Sequence, residues 1–163
     1  MAANFNSVQS RIKAGFHSMF TGHPAYGNVW GPARQPETIA MNTPMTKILL
    51  AEDDIDMRRF LVKALQNAGF DVISYDNGLS AYQRLREEPF ELLLTDIVMP
   101  EMDGIELARR AAELDPDIKI MFITGFAAVA LNSDSTAPKH AKVLSKPIHL
   151  RELVSEVQKM LAA

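Results

Sequence analysis

Two stretches decide how this chain folds: Lys47-Ile48-Leu49-Leu50-Ala51-Glu52-Asp53-Asp54 and Glu91-Leu92-Leu93-Leu94-Thr95-Asp96. Each is a short, continuously apolar run that stops at acidic residues. A strand with one wet face alternates apolar and polar side chains, whereas a strand covered on both faces does not. Runs of this kind therefore predict a parallel sheet under helices on both sides. Between and beyond them the period changes. Met57, Phe60, Leu61, Ala64 and Leu65 recur at helical spacing, and Gly69 follows as a helix-ending C′ glycine. Asp71–Tyr75 reads as a second strand, and Gly78–Arg86 as a second helix ended by Pro89. Ile105, Leu107, Ala108, Ala111, Ala112 and Leu114 mark a third helix. Lys119–Ile123 is a fourth strand, Phe126–Leu131 a short helix and Ala141–Ser145 a fifth strand. The last helix runs from His149 to the end, with Leu150, Leu153, Val154, Val157, Met160 and Leu161 on one face.

Five strand–helix units with right-handed crossovers predict a doubly wound α/β domain with strand order 2-1-3-4-5, the flavodoxin-like arrangement. The composition agrees: 163 residues, 47% apolar and 23% charged, with a formal net charge of −3. The absence of cysteine excludes a disulfide framework, thiolate metal sites and cysteine catalysis. A mildly acidic chain lacks the clustered Lys and Arg on which non-specific nucleic-acid binding runs, and no apolar stretch is long enough to span a membrane.

The domain is expected to occupy residues 45–163. Residues 1–44 hold Arg11, Lys13 and Arg34 against Glu37, together with four of the eight glycines and four of the nine prolines. Such punctuation predicts a disordered leader, or upstream sequence preceding a later start at Met41 or Met45. The amphipathic patch Ile12–Phe20 is the alternative there, a contact for a membrane or a partner. His17 and His23 form no metal motif, and His140 and His149 are expected at the surface.

In an open parallel sheet, ligands bind beyond the carboxyl ends of the strands, where the strand order reverses. Read at those ends, the sequence supplies Glu52-Asp53-Asp54 after strand 1, Thr95-Asp96 after strand 3, Thr124-Gly125 after strand 4 and Ser145-Lys146-Pro147 after strand 5. Each residue alone has an ordinary structural role: Asp54 or Asp56 as a helix N-cap, Thr124 as a turn former, Lys146 as a loop residue. Together they predict a shallow cleft holding carboxylates, a hydroxyl and an amine. Clustered carboxylates repel and raise one another's pKa unless a hard cation joins them, and an open site with few ligands suits Mg²⁺. Asp96 could then act as an ionised nucleophile toward a phosphoryl group whose charge is met by the cation, Lys146 and Thr124.

At this point the residues carry a family likeness. Ile48–Asp54, Leu94–Gly104, Thr124-Gly125 and Lys146-Pro147 resemble the receiver domain of bacterial two-component response regulators over about residues 45–163. The resemblance implies that Asp96 is the phosphoacceptor and that Asp53 binds Mg²⁺ directly. It implies that Glu52 assists, that the Val98 carbonyl completes the ligand set, and that Thr124 and Lys146 contact the phosphoryl group. It also implies a cis Lys146–Pro147 bond and, as donor, a histidine phosphotransferase or histidine kinase. Val143 stands where the family often has a rotating aromatic. Val98 and Phe126 flank the site as apolar side chains, which predicts some shielding of an acyl phosphate from water.

With the chain ending after the fifth helix, output is expected through protein–protein contact. Gly125–Leu131 and Lys142–Pro147 resemble the single-domain alphaproteobacterial CpdR group. That likeness implies a cytoplasmic regulator, recruited to a cell pole, that binds the unfoldase ClpX when unphosphorylated and so controls cell-cycle proteolysis. A chemotaxis-type motor-binding receiver or a phosphorelay intermediate is the alternative. An aspartyl-nucleophile phosphatase is disfavoured because it requires a second Asp where Val98 stands; the protein is expected to catalyse only its own phosphorylation.

Overall fold

The computed structural model describes residues 44–163 apart from Ser133. The expectations for residues 1–43, including the Ile12–Phe20 patch, His17 and His23, lie outside the described residues. Among the described residues five strands alternate with five helices: β1 (Lys47–Ala51), α1 (Ile55–Asn67), β2 (Asp71–Tyr75), α2 (Gly78–Leu85), β3 (Leu92–Thr95), α3 (Gly104–Leu114), β4 (Lys119–Thr124), α4 (Ala127–Leu131), β5 (Lys142–Ser145) and α5 (Leu150–Ala162). The strands form one sheet in the order β2-β1-β3-β4-β5, every pair parallel. This is the predicted order, and the chain reverses direction across the sheet between β1 and β3.

The uninterrupted apolar runs are explained by two cores, one on each face. Strand residues alternate between them. Leu49, Ala51, Leu93, Ile120 and Phe122 face the α2–α3 side and meet Ala81, Leu107, Ala108 and Ala111. Ile48, Leu50, Leu92, Leu94, Met121 and Ile123 face the α1–α5 side and meet Leu61, Leu65, Leu153 and Val157. Three helices begin at side-chain caps that the sequence supplies in the right places: Asp54, Asn77 and Asp103 accept from Met57, Ser80 and Glu106 N–H groups at 2.7, 2.8 and 2.9 Å. Of the two N-cap candidates for α1, Asp54 takes the role. Gly69, with φ of +95°, occupies the left-handed position just past α1, where a side chain would be strained.

Boundaries differ from expectation by a residue at several ends. β4 extends to Thr124, while β5 starts at Lys142 rather than Ala141. Helix α2 stops at Leu85, one residue short of the expected Arg86. There the chain tightens into three-residue turns, with Arg86 N–H on the Gln83 carbonyl and Glu87 N–H on that of Arg84. Glu88 is drawn to Lys47 at 2.8 Å and to Arg84. The Arg109–Arg110 pair lies half-exposed on α3, tied to Glu106 at 2.8 Å and 2.6 Å, and Arg110 also stacks over the Tyr82 ring of α2. His140 and His149 are exposed, as expected.

Candidate functional site

At the carboxyl edge of the sheet the adjacent strands β1 and β3 deliver their acids side by side. Ala51 pairs with Thr95, and the Asp96 N–H reaches the Ala51 carbonyl at 3.0 Å. Carboxylate oxygens of Glu52, Asp53 and Asp96 all lie within 4.8 Å of one another. β5, two strands away, contributes Lys146. Its ammonium donates to Glu52 Oε2 at 2.8 Å and to Asp96 Oδ2 at 2.7 Å. Residues 94 apart in sequence thus share one ion pair, and the expected gathering of strand ends is realised.

The three acids are not equivalent. Glu52 is buried, at 1% exposure, whereas Asp53 is exposed. Burial pushes the Glu52 carboxyl above its ordinary range, and the Lys146 and Asp54 hydrogen bonds offset that only in part. For Lys146, burial favours the neutral amine, but hydrogen bonds and charge from Asp96 and Glu52 prevail and raise its pKa. Asp96 is nearly covered, its side chain 11% exposed. Its Oδ1 accepts from the Ile97 N–H at 2.6 Å, leaving the other oxygen, Oδ2, toward Lys146.

Thr124 ends β4 on the same edge and is buried. Its carbonyl accepts from the Lys146 N–H at 2.9 Å and its hydroxyl oxygen accepts from the Phe126 N–H at 3.1 Å. The second bond occupies one lone pair and leaves the O–H proton to donate. Val98 and Phe126 are more than half exposed, at 55% and 58%. Val143 is half-buried against the α2–α3 core. The Lys146–Pro147 bond is cis.

Other contributors have weak sequence signals. Gly104, the first residue of α3, sits so close to β3 that a Cβ there would lie 1.8 Å from the Asp96 carbonyl oxygen. The loop reaching it passes through Glu101 with φ of +68°, an uncommon value for a residue with a side chain. Arg58 Nη1 donates to the Glu52 carbonyl at 2.6 Å, a contact that no spacing rule singles out. The site is a rim rather than a cavity. A hollow of about 420 Å³ lined by Leu85, Phe90, Ala111, Leu114 and Ile118 lies at the opposite, amino-terminal end of the sheet and holds none of these residues.

Three oxygen-bearing side chains, one buried with its pKa raised, fit a hard divalent cation. Glu52, Asp53 and Asp96 would hold it, and Mg²⁺ is the size and type of ion that so open a set accepts. When bound it would neutralise charge around Asp96.

A doubly wound parallel sheet with an acid cluster, a lysine and a hydroxyl at its carboxyl edge defines an α/β domain of the flavodoxin-like class. The chain belongs to the response regulator receiver domain family, whose model matches residues 48–158. It is 77% identical over 119 residues to the response regulator receiver protein CpdR of Brucella abortus, a match covering 73% of this chain and 99% of that one. Among solved structures, a response regulator receiver protein from Sinorhizobium medicae superposes with a TM-score of 0.69 at 30% identity, covering 74% of this chain and 97% of the other. The response regulator TrrA of Thermotoga maritima, in complex with Mg²⁺ and BeF, gives 0.64 at 26% identity, covering 71% and 99%. Among the described residues no helix is long and apolar enough to cross a membrane.

Proposed function

We propose that this receiver is phosphorylated on Asp96 in a Mg²⁺-dependent reaction and that phosphorylation governs a CpdR-like, protein-binding output. The observation that carries the chemistry is the Asp96 carboxylate within 2.7 Å of the Lys146 ammonium and clustered with Glu52 and Asp53. An oxygen of Asp96 forms the new O–P bond while the N–P bond of a phosphohistidine breaks. The electron pair passes to the imidazole nitrogen of a histidine phosphotransferase or histidine kinase. No general base is required, because the nucleophile is already ionised. Lys146 exchanges its bond to Asp96 for one to a phosphoryl oxygen, and the Thr124 hydroxyl donates to another. Lys146 already lies against Asp96, so its stabilisation of developing charge needs little rearrangement. The Val98 carbonyl is proposed as a further Mg²⁺ ligand. The protein turns over no external ester and catalyses only its own modification.

The high identity to CpdR across nearly the whole of that relative supports output of the same kind: the unphosphorylated form binds the unfoldase ClpX and directs cell-cycle proteolysis. It also supports action in the cytoplasm, with recruitment to a cell pole. Exposed Phe126, Val129 and Leu131 on and beside α4 offer an apolar contact surface.

Incubation with a small-molecule phosphodonor and Mg²⁺, read by intact mass, tests the chemistry. Wild type is expected to gain one phosphoryl group and Asp96→Asn none; no gain in wild type refutes it. Capture of ClpX by Asp96→Ala, and its reduction by phosphodonor treatment of wild type, tests the output.

A further inference from the structure

We propose that Arg58 is a positioning residue of the cation site, fixing the backbone that presents Asp53; this rests on reading Glu52, Asp53 and Asp96 as that site. Asp53 is exposed, so core packing does not aim it. Its direction is set by the two peptide groups on either side of its Cα, and both are held by named bonds. The peptide before Asp53 carries the Glu52 carbonyl, which accepts from Arg58 Nη1 at 2.6 Å. The peptide after it carries the Asp54 N–H, which donates to Glu52 Oε1 at 3.1 Å. Around this pair the Glu52 N–H is tied to the Tyr75 carbonyl at 3.0 Å, and the Arg58 N–H to the Asp54 carbonyl at 2.9 Å.

Generic roles explain Arg58 poorly. It sits in the first turn of α1, the end of a helix where a positive charge is unfavourable. A guanidinium near a cation site also has the wrong sign to attract Mg²⁺ directly. What it supplies is a charge-assisted hydrogen bond to one carbonyl, and that carbonyl orients the residue expected to touch the metal. The two effects of Arg58 on Mg²⁺ therefore oppose each other: positioning strengthens binding and charge weakens it. The sign of the change on removal separates them.

The test is calorimetric titration of Mg²⁺ into metal-stripped wild type, Arg58→Ala and Arg58→Lys at fixed ionic strength, with melting curves in EDTA. Arg58→Ala is expected to bind Mg²⁺ about tenfold more weakly, the size of loss typical for groups that orient metal ligands. Arg58→Lys, which can still donate, recovers most of the affinity, and both variants melt cooperatively. Unchanged or tighter binding by Arg58→Ala overturns the proposal, as does a Lys variant no better than the Ala variant. Should Arg58→Ala not melt cooperatively, Arg58→Gln replaces it: weaker binding than wild type supports the proposal, and equal or tighter binding overturns it. Failure of wild type itself to bind Mg²⁺ removes the underlying reading of the site, a distinct result from binding that is insensitive to Arg58.

Discussion

Lys146 holds two carboxylates with one ammonium, and its removal has a calculable sign. The Glu52 pKa is raised above the ordinary 4.5, chiefly by burial. Its charged form therefore opposes folding: the contribution is most favourable below pH 4.5 and is lost as pH rises through the folded-state value. The Lys146 pKa is also raised, from 10.5, so its support is present through neutral pH and is lost only as pH rises through its folded-state value. Substituting Lys146→Met leaves two close acids without a counter-charge. In EDTA at pH 7 this is expected to destabilise the protein by about 1–3 kcal/mol, toward the low side for a buried pair because Lys146 is partly solvated. The deficit should be smaller at pH 5 than at pH 7, because the buried Glu52 carboxyl takes up a proton more readily than an ordinary one, and Mg²⁺ should restore part of it at pH 7. Urea denaturation at the two pH values, with and without Mg²⁺, checks all three statements.

At the scale of elements, the site depends on how closely helices approach strand ends. The start of α3 lies against the backbone of Asp96, and the Gly104 N–H bonds the Ile97 carbonyl at 2.7 Å. A methyl group at position 104 would meet backbone atoms, the Asp96 carbonyl oxygen at 1.8 Å and its carbon at 2.8 Å, none of which can rotate away. Gly104→Ala is expected to cost about 3 kcal/mol, at the upper end of ordinary overpacking. It should also slow phosphoryl uptake, because relief requires moving either α3 or the peptide of the nucleophile. Chemical denaturation and the rate of mass gain from a phosphodonor measure the two effects. Helix α4 contrasts with α3: five residues, no side-chain cap and no fully buried member. Its apolar residues serve the surface more than the core.

At the scale of the whole molecule, charge among the described residues is arranged, apart from the site itself, mainly in local networks that centre on Glu88, Glu106 and Glu156. Glu106, bonded by Arg109 and Arg110, and Glu156, bonded by Lys142 and Lys159, are each held down to about 2. Depressed carboxylate values add stability that is present above the unfolded-state value near 4.5 and lost as pH falls through about 2. Both groups are solvated enough that their worth at neutral pH is small. Their signature is the acid limb: between pH 5 and pH 2 the melting temperature of wild type should fall further than that of the Glu106→Gln, Glu156→Gln double variant. Equal slopes would show that these bridges do not persist in solution.

The same scale separates what was legible in residue order from what was not. Strand and helix periods, the Asp54 cap, the Gly69 stop and the acids at strand ends are local patterns, each readable within a few residues. Strand order followed as well, because right-handed crossovers leave few ways to arrange five such units. Membership in the receiver family could likewise be recognised, since its motifs are short and stand at strand ends. Helix limits were legible only to within a residue, as at Leu85 against the expected Arg86, because the last hydrogen bonds of a helix depend on its tertiary surroundings. The two linkages that complete the site, Lys146 to Glu52 across the sheet and Arg58 to the Glu52 carbonyl, were not legible. Residue order by itself determined the strands, the helices and the chemistry available at their ends. Which acid is buried, which is exposed and which group holds each in place arise in the folded state, because burial and hydrogen bonding between distant segments exist only once the sheet has closed over its two cores.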